Sequence, residues 1–245
     1  IIERLPTPYG LIRGGVAPDH QTTKRVARMY EKTALVKEVN YYGNVEINKD
    51  VGLDELRQIY DAVVLAVGAP EDRKLEIPGA DKYGVFGSAA FVGWYNGHPD
   101  FRDLDPDLNI SNAVVIGNGN VAIDCARVLL RTPRGMSASD LPVHVGDLIH
   151  AAPITDVYLA GRRGPEDAKF TNVELREIGK LRETVPQMKS DQMPNSIEET
   201  VVNLKGRDRR LAERNLNTLE EFSERSANEK RKRIHFEFYS KPIEI

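Results

Sequence analysis

Ala113-Val114-Val115-Ile116-Gly117-Asn118-Gly119-Asn120-Val121-Ala122 is the stretch that decides the fold of this chain. Its opening apolar residues, mostly β-branched, read as a buried parallel strand. The glycines that follow at once read as a turn. Beyond them Val121, Cys125, Val128 and Leu129 recur on one side of a helix. Gly117-x-Gly119-x-x-Ala122 therefore stands between a strand and a helix, where a dinucleotide fingerprint must stand. Gly117 permits a tight turn, Gly119 lets the backbone approach a pyrophosphate, and Ala122 lets helix and strand pack closely. The start of the helix offers free N–H groups and a positive dipole end to phosphates.

Downstream, Val157-Tyr158-Leu159-Ala160 reads as a second strand, closed by Gly161-Arg162-Arg163-Gly164-Pro165. An NAD site usually ends this strand in an acid that holds the ribose 2′-hydroxyl. Here two arginines stand instead, and guanidinium forks suit a 2′-phosphate. The pair points to NADP(H). Its distance from the glycine loop is about twice the usual twenty or so residues, which an irregular insertion over 131–153 accounts for.

Further strands and helices extend the pattern. The continuous apolar run Ala62–Val67, ending at Gly68, reads as a strand covered on both faces. Ile1-Ile2-Glu3 reads as the tail of a strand, Tyr41–Ile47 as a strand, and the alternating stretch from His235 as another. Helical patterns cover 21–37, Leu53–Tyr60, 172–182 and 207–232, while 5–20 and 77–106 read as loops. Strands alternating with helices imply α/β architecture with a parallel sheet. The chain opens and closes within strand-like segments, so a piece of a longer enzyme is expected.

Composition narrows the function. The 245 residues include 34 Lys+Arg against 37 Asp+Glu, a net charge of −3 that argues against general nucleic-acid binding. No apolar run approaches the roughly 18 residues of a membrane span. The single cysteine, Cys125, excludes an intrachain disulfide and leaves too few thiolates for a zinc or iron–sulfur site, so no metal is expected. Its helix phase marks it as a core thiol.

Longer blocks carry a family resemblance. Pro8-Tyr-Gly-Leu-Ile-Arg-Gly-Gly-Val-Ala-Pro-Asp-His20, Tyr42-Gly43-Asn44-Val45-Glu46, the run from Ala90 to Gly97, the glycine loop through Asp124, and Gly161–Pro165 with Phe170-Thr171 and Glu174–Glu177 stand in one order. Over about residues 1–180 the chain closely resembles the adrenodoxin reductase-like ferredoxin–NADP+ reductases. That resemblance implies a Rossmann-like parallel-sheet NADP-binding domain over 71–245. It also implies an incomplete FAD-binding domain over 1–70, of the two-dinucleotide-binding-domain flavoprotein type.

By the same resemblance, Glu3 would hold FAD ribose, and Leu11 and Ile47 would line the flavin pocket. Asn118, Asn120 and Val121 would touch the NADP pyrophosphate, and Arg162, Arg163 and Glu174 its adenosine 2′-phosphate end. His20 and Asp124 match a polar pair near flavin and nicotinamide, suited to positioning and electrostatics. The implied reaction is hydride transfer from NADPH to FAD, then single electrons to a ferredoxin-type iron–sulfur protein. The alternatives are a non-catalytic NADP-binding fragment and an electron-transfer module like the small subunit of glutamate synthase. The expected compartment is cytoplasmic in a bacterium or the mitochondrial matrix in a eukaryote, with no targeting segment visible. Residues 203–233 carry ten Lys/Arg against six acids. Arg207, Arg210 and Arg214 share a helix stripe there, and Arg176 joins them as a docking surface for an acidic iron–sulfur partner.

Overall fold

Four parallel strands form the sheet that carries the second half of the chain in this computed structural model, which describes residues 1–69 and 71–245. The N-terminal part holds β1 (Ile2–Glu3), α1 (Gly10–Gly14), α2 (Gln21–Lys24), α3 (Ala27–Ala34), β2 (Tyr42–Gly43) and α4 (Leu53–Ile59). There follow α5 (Ser88–Tyr95), β3 (Asn112–Ile116), α6 (Asn120–Leu130), α7 (Pro133–Met136), α8 (Val143–Ala151) and β4 (Asp156–Ala160). The chain continues through α9 (Asn172–Ile178), β5 (Thr184–Met188), α10 (Ile197–Thr200), α11 (Gly206–Ser223) and β6 (Lys232–Glu237). β1 pairs with β2 in parallel, and the larger sheet runs β3-β4-β6-β5. No helix of the described residues is long and apolar enough to cross a membrane.

Side-chain alternation along each strand explains the layering. Val157 and Leu159 of β4 lie in register with Ile234 and Phe236 of β6, and all four are buried. They pack with Ala122, Ile123, Ala126 and Leu130 of α6, Leu175 and Ile178 of α9, and Leu219 and Phe222 of α11. Phe236 lies between Phe170 (centroids 6.1 Å apart, edge-on) and Phe222 (5.9 Å). The intervening residues carry charge. Asp156 accepts from Arg233 at 2.5 and 2.6 Å and pairs with His235 at 2.7 Å, while the Tyr158 and His235 rings stack at 4.3 Å.

A second core joins α5 to α6 and α8 through Val92, Trp94, Tyr95, Cys125, Val128, Val145 and Ile149. Asp72 caps α5, accepting from the Ala89 and Ala90 amides at 2.7 and 3.1 Å. Gly87 must be glycine for this, because a Cβ there would lie 2.1 Å from the Asp72 carboxylate.

Several sequence expectations need correction. Ala62–Val67 forms no strand, and Val64, Leu65 and Val67 are exposed. A strand needs a neighbour for its amides and carbonyls, and no described strand lies beside this run. β3 forms as expected, but among the described residues it is an edge strand paired with β4 alone, and Val114 and Ile116, alternating on one face, are exposed. Tyr41–Ile47 contributes just the two residues of β2, and the helix over 21–37 is two short ones. The loop-rich 77–106 contains α5, and the insertion at 131–153 contains α7 and α8. The long helix ends at Ser223, and the last strand starts already at Lys232.

Phe236→Ala empties the centre of the aromatic cluster. It is expected to cost about 3–5 kcal/mol, read as a lowered urea midpoint with unchanged slope. A loss below about 1 kcal/mol would show that Phe236 does not anchor this core.

Candidate functional site

The glycine loop sits where β3 hands over to α6. Gly117 has φ of +143°, a region closed to most side chains, and its amide extends the ladder to the Ala160 carbonyl at 2.9 Å. A Cβ built on Gly117 would come 3.8 Å from that of Ala122, so turn and helix are in contact. Gly119 is the N-cap of α6, and a Cβ on it would meet nothing of the chain within 4 Å. Internal packing therefore does not require glycine here, and the backbone at Gly119 lies open.

Asparagines tie the loop to its surroundings. The Asn118 carbonyl accepts from the Lys169 amide at 2.8 Å, and Asn120 Oδ1 accepts from the Thr171 amide at 2.8 Å. Asn118 Oδ1 is buried without a hydrogen-bond partner, an acceptor that still calls for a donor. Gly161 leaves room for this side chain, since a Cβ there would lie 1.6 Å from Asn118 Nδ2. Val121 is half exposed at the first turn of α6. These features fit a pyrophosphate at the helix start: free amides, an orphan polar group and backbone open to approach.

Arg162 and Arg163 follow β4 directly and are exposed. Their backbone is pinned from β6 and beyond: Gly161 donates to Glu237 at 2.8 Å, and Tyr239 donates to the Arg163 carbonyl at 3.1 Å. Neither guanidinium forms an ion pair among the described residues. Two fixed, unneutralised cations beside a helix N-terminus are suited to a phosphate.

A buried ionic cluster lies one turn past the loop. His20, in the loop before α2, has Nδ1 3.9 Å from Asp124 and Nε2 3.2 Å from Glu174 and 3.0 Å from Glu177. Glu174 thus meets His20 and Arg127, and makes no contact with Arg162 or Arg163 among the described ion pairs. Arg127, wholly buried on α6, donates to Asp19 at 2.7 and 3.0 Å, to Asp124 at 2.7 Å and to Glu174 at 3.3 Å. Arg131 also pairs with Asp19. Burial works to raise the Asp19 carboxyl, but the Arg127 hydrogen bond and charge, with Arg131, bring it down to about 2. For Asp124 and Glu174 burial prevails and raises the carboxyl, against the pull of Arg127 and His20.

Sequence reading found His20 and Asp124 but missed Asp19, Arg127 and Glu177. A signal existed: Arg127 interrupts the apolar run of α6 three residues after Asp124, and Glu177 follows Glu174 at the same spacing. His20, Asp124 and Glu174 bring possible ligand atoms within 4.8 Å of one another. Arg127 donates to the inner oxygens of both acids, so the cluster is already neutralised in part by a guanidinium. Cys125 is buried as expected, and burial pushes its thiol up to about 12.

The residues assigned to flavin make no hydrogen bond or ion pair with this cluster among the described residues. Glu3 ends β1 and accepts from the Leu5 amide at 2.9 Å. Leu11, on α1, is 78% exposed, and Ile47 forms a single bridge to Val51. On the opposite side of α9, Arg176 and Arg214 line one cleft with Asn172, Asn217, Thr218 and Glu221. Arg207 and Arg210 lie exposed on α11 outside it. Arg209, between them, is engaged by Glu213 at 2.7 Å.

Residues 4–155 match the pyridine nucleotide-disulphide oxidoreductase family. The NADPH-ferredoxin reductase FprA of Mycobacterium tuberculosis is 40% identical over 245 residues, covering 100% of this chain and 53% of the relative. The mitochondrial NADPH:adrenodoxin oxidoreductase of Arabidopsis thaliana is 47% identical over 179 residues, covering 73% of this chain and 37% of that protein. The structure of M. tuberculosis FprA in complex with NADPH is similar with a TM-score of 0.95 at 40% identity, over 100% of this chain and 53% of that one. The chain thus spans about half the length of FprA.

Asp19 makes the cluster acid-sensitive. Its carboxyl is depressed from 3.8 to about 2, so the unfolded chain takes up the proton first and stability falls with pH. About 2 kcal/mol, present above its ordinary value, is expected to be lost as pH drops towards 2. Thermal unfolding from about pH 5 to about pH 2 should fall more steeply for the unsubstituted protein than for Asp19→Asn. Parallel curves would remove Asp19 from this linkage.

Proposed function

We propose that this chain, which belongs to the pyridine nucleotide-disulphide oxidoreductase family, carries the NADP(H) site and part of the FAD site of a ferredoxin-type reductase. One observation carries the reading. The glycine loop and an unneutralised arginine pair leave adjacent, in-register strand ends, Ile116 beside Ala160. A dinucleotide with a 2′-phosphate has both its charged ends answered by that arrangement: pyrophosphate at the start of α6, 2′-phosphate at Arg162 and Arg163.

Within it, Gly117, Gly119, Asn118, Asn120 and Val121 would hold the pyrophosphate. Glu174 would support the nucleotide from α9 rather than pair with the arginines. Glu3, Leu11 and Ile47 would meet FAD in the portion formed by residues 1–70, with 71–245 forming the NADP-binding portion. When bound, the cofactors supply the redox chemistry: hydride from NADPH to FAD, then electrons released singly to an iron–sulfur protein. His20 and Asp124 orient and polarise; no side chain needs to accept the hydride. The compartment would be the cytoplasm in a bacterium or the mitochondrial matrix in a eukaryote. The similarity to both an FprA and a mitochondrial adrenodoxin reductase supports an electron partner of the ferredoxin class.

Replacing Arg162 and Arg163 together by Ser should weaken NADPH far more than NADH, because only NADPH has the phosphate to pair. Charge-assisted contacts are worth about 1.5–3 kcal/mol, so the NADPH:NADH affinity ratio should fall about tenfold or more. Equal losses for the two nucleotides, measured by calorimetry, would sink the assignment.

The basic face of α9 and α11 would receive the acidic partner, with Arg176 and Arg214 at its centre and Arg207 and Arg210 at its margin. Exposed charges of this kind steer encounter and are screened over about 10 Å at 0.1 M salt. Arg210→Glu with Arg214→Glu should slow reduction of an acidic ferredoxin and flatten its salt dependence. NADPH oxidation by a small uncharged acceptor should stay unchanged. A ferredoxin rate indifferent to both reversal and salt would rule this face out.

A further inference from the structure

Arg127 touches neither the glycine loop nor the arginine pair, yet it is a charged residue with no exposed surface. A guanidinium persists in such a place only with its donors satisfied. Here the acceptors come from three separate segments. Nε and Nη2 fork onto Asp19 in the N-terminal loop, at 2.7 and 3.0 Å. Nη2 also reaches Asp124, one turn back on α6, at 2.7 Å, and Nη1 reaches Glu174 on α9 at 3.3 Å. Asp124 and Glu174 are two of the three carboxylates grouped around the His20 imidazole.

We infer that Arg127 is a positioning residue of this site, holding Asp124 and Glu174 as fixed neighbours of His20 by bolting both to Asp19. The inference rests on the reductase reading above, which sets His20 and Asp124 beside the nicotinamide. All the charged groups of the cluster bear on it. Asp19, Asp124 and Glu174 meet Arg127, Asp19 also meets Arg131, and Glu177 meets His20, with the Cys125 thiol and Tyr95 hydroxyl flanking. Without Arg127, Asp124 and Glu174 would lose their arginine partner, and Asp19 would keep Arg131 alone. Burial, which already raises Asp124 and Glu174, would then favour their protonation. Lysine keeps the charge but lacks the fork needed to hold three carboxylates at once.

The test compares Arg127→Met, Arg127→Lys and Asp19→Asn in the FAD-loaded protein. NADP+ affinity, measured by calorimetry, should fall less than the rate of flavin reduction, since the glycine loop and the arginine pair are untouched. Flavin reduction by NADPH in stopped flow should slow about tenfold or more in Arg127→Met, and its pH profile should move to higher pH. Arg127→Lys should return the profile, though not the full rate. Asp19→Asn should move the profile the opposite way, because the Asp19 charge raises the Asp124 carboxyl.

A second readout is independent of turnover. The melting temperature of Arg127→Met should gain on that of the unsubstituted protein as pH is lowered, because its folded carboxyls then hold protons still more tightly than the unfolded chain does. Rate profiles and melting trends that match the unsubstituted protein would overturn the positioning role. If Arg127→Met does not fold, an unmoved profile in Asp19→Asn overturns it equally. Unsubstituted protein that binds no NADP+ refutes the reductase reading instead, and the melting trend still decides Arg127.

Discussion

The Arg127 guanidinium is the contact on which the geometry of the site depends. Removing a permanent cation from water is costly unless each donor finds an acceptor, and breaking such a buried pair from one side typically costs about 3–5 kcal/mol. Asp19, Asp124 and Glu174 supply those acceptors from a loop, from α6 and from α9. Because donor directions in a guanidinium are rigid, satisfying all of them sets where the three segments stand. The loop is secured nearby as well: Asp140 donates its amide to the Pro18 carbonyl at 3.2 Å, and Lys24 reaches the Asp140 carboxylate at 2.8 Å. His20 is carried into the acidic cluster by that anchored loop.

The sheet supplies the second constraint. Strands β3 and β4 run parallel and in register, with Ile116 beside Ala160, so the loops that follow them leave the same edge. The Gly117 amide continues the ladder one step further, to Ala160. A glycine loop and an arginine pair separated by a long insertion in the chain are thereby made neighbours. α7 and α8 absorb that insertion on the side of α5 and α6, without disturbing the strand ends.

Legibility followed the range of each interaction. The strand–loop–helix around Gly117 could be read directly, because left-handed backbone and apolar periodicity are properties of a few adjacent residues. Asn118 and Asn120 stood out as parts of that loop. The buried role of Arg127 could not be read with the same ease, since an arginine three residues after an acid is most often a solvated surface pair. Glu174 was grouped with the arginines by family resemblance, whereas α9 turns it towards His20.

By itself, then, the amino-acid sequence determined the parallel α/β architecture, the glycine loop between strand and helix, and the arginine pair at the next strand end. Each rests on local chemistry: a turn that only glycine makes easily, a helix start that follows it, a strand end that carries cations. The tertiary structure alone decided which carboxylates surround His20, that α5 lies inside the region read as loop, and that the apolar run from Ala62 to Val67 is no strand. Ion pairs and β-strands are completed by partners from distant parts of a chain, so spacing along the sequence does not specify them.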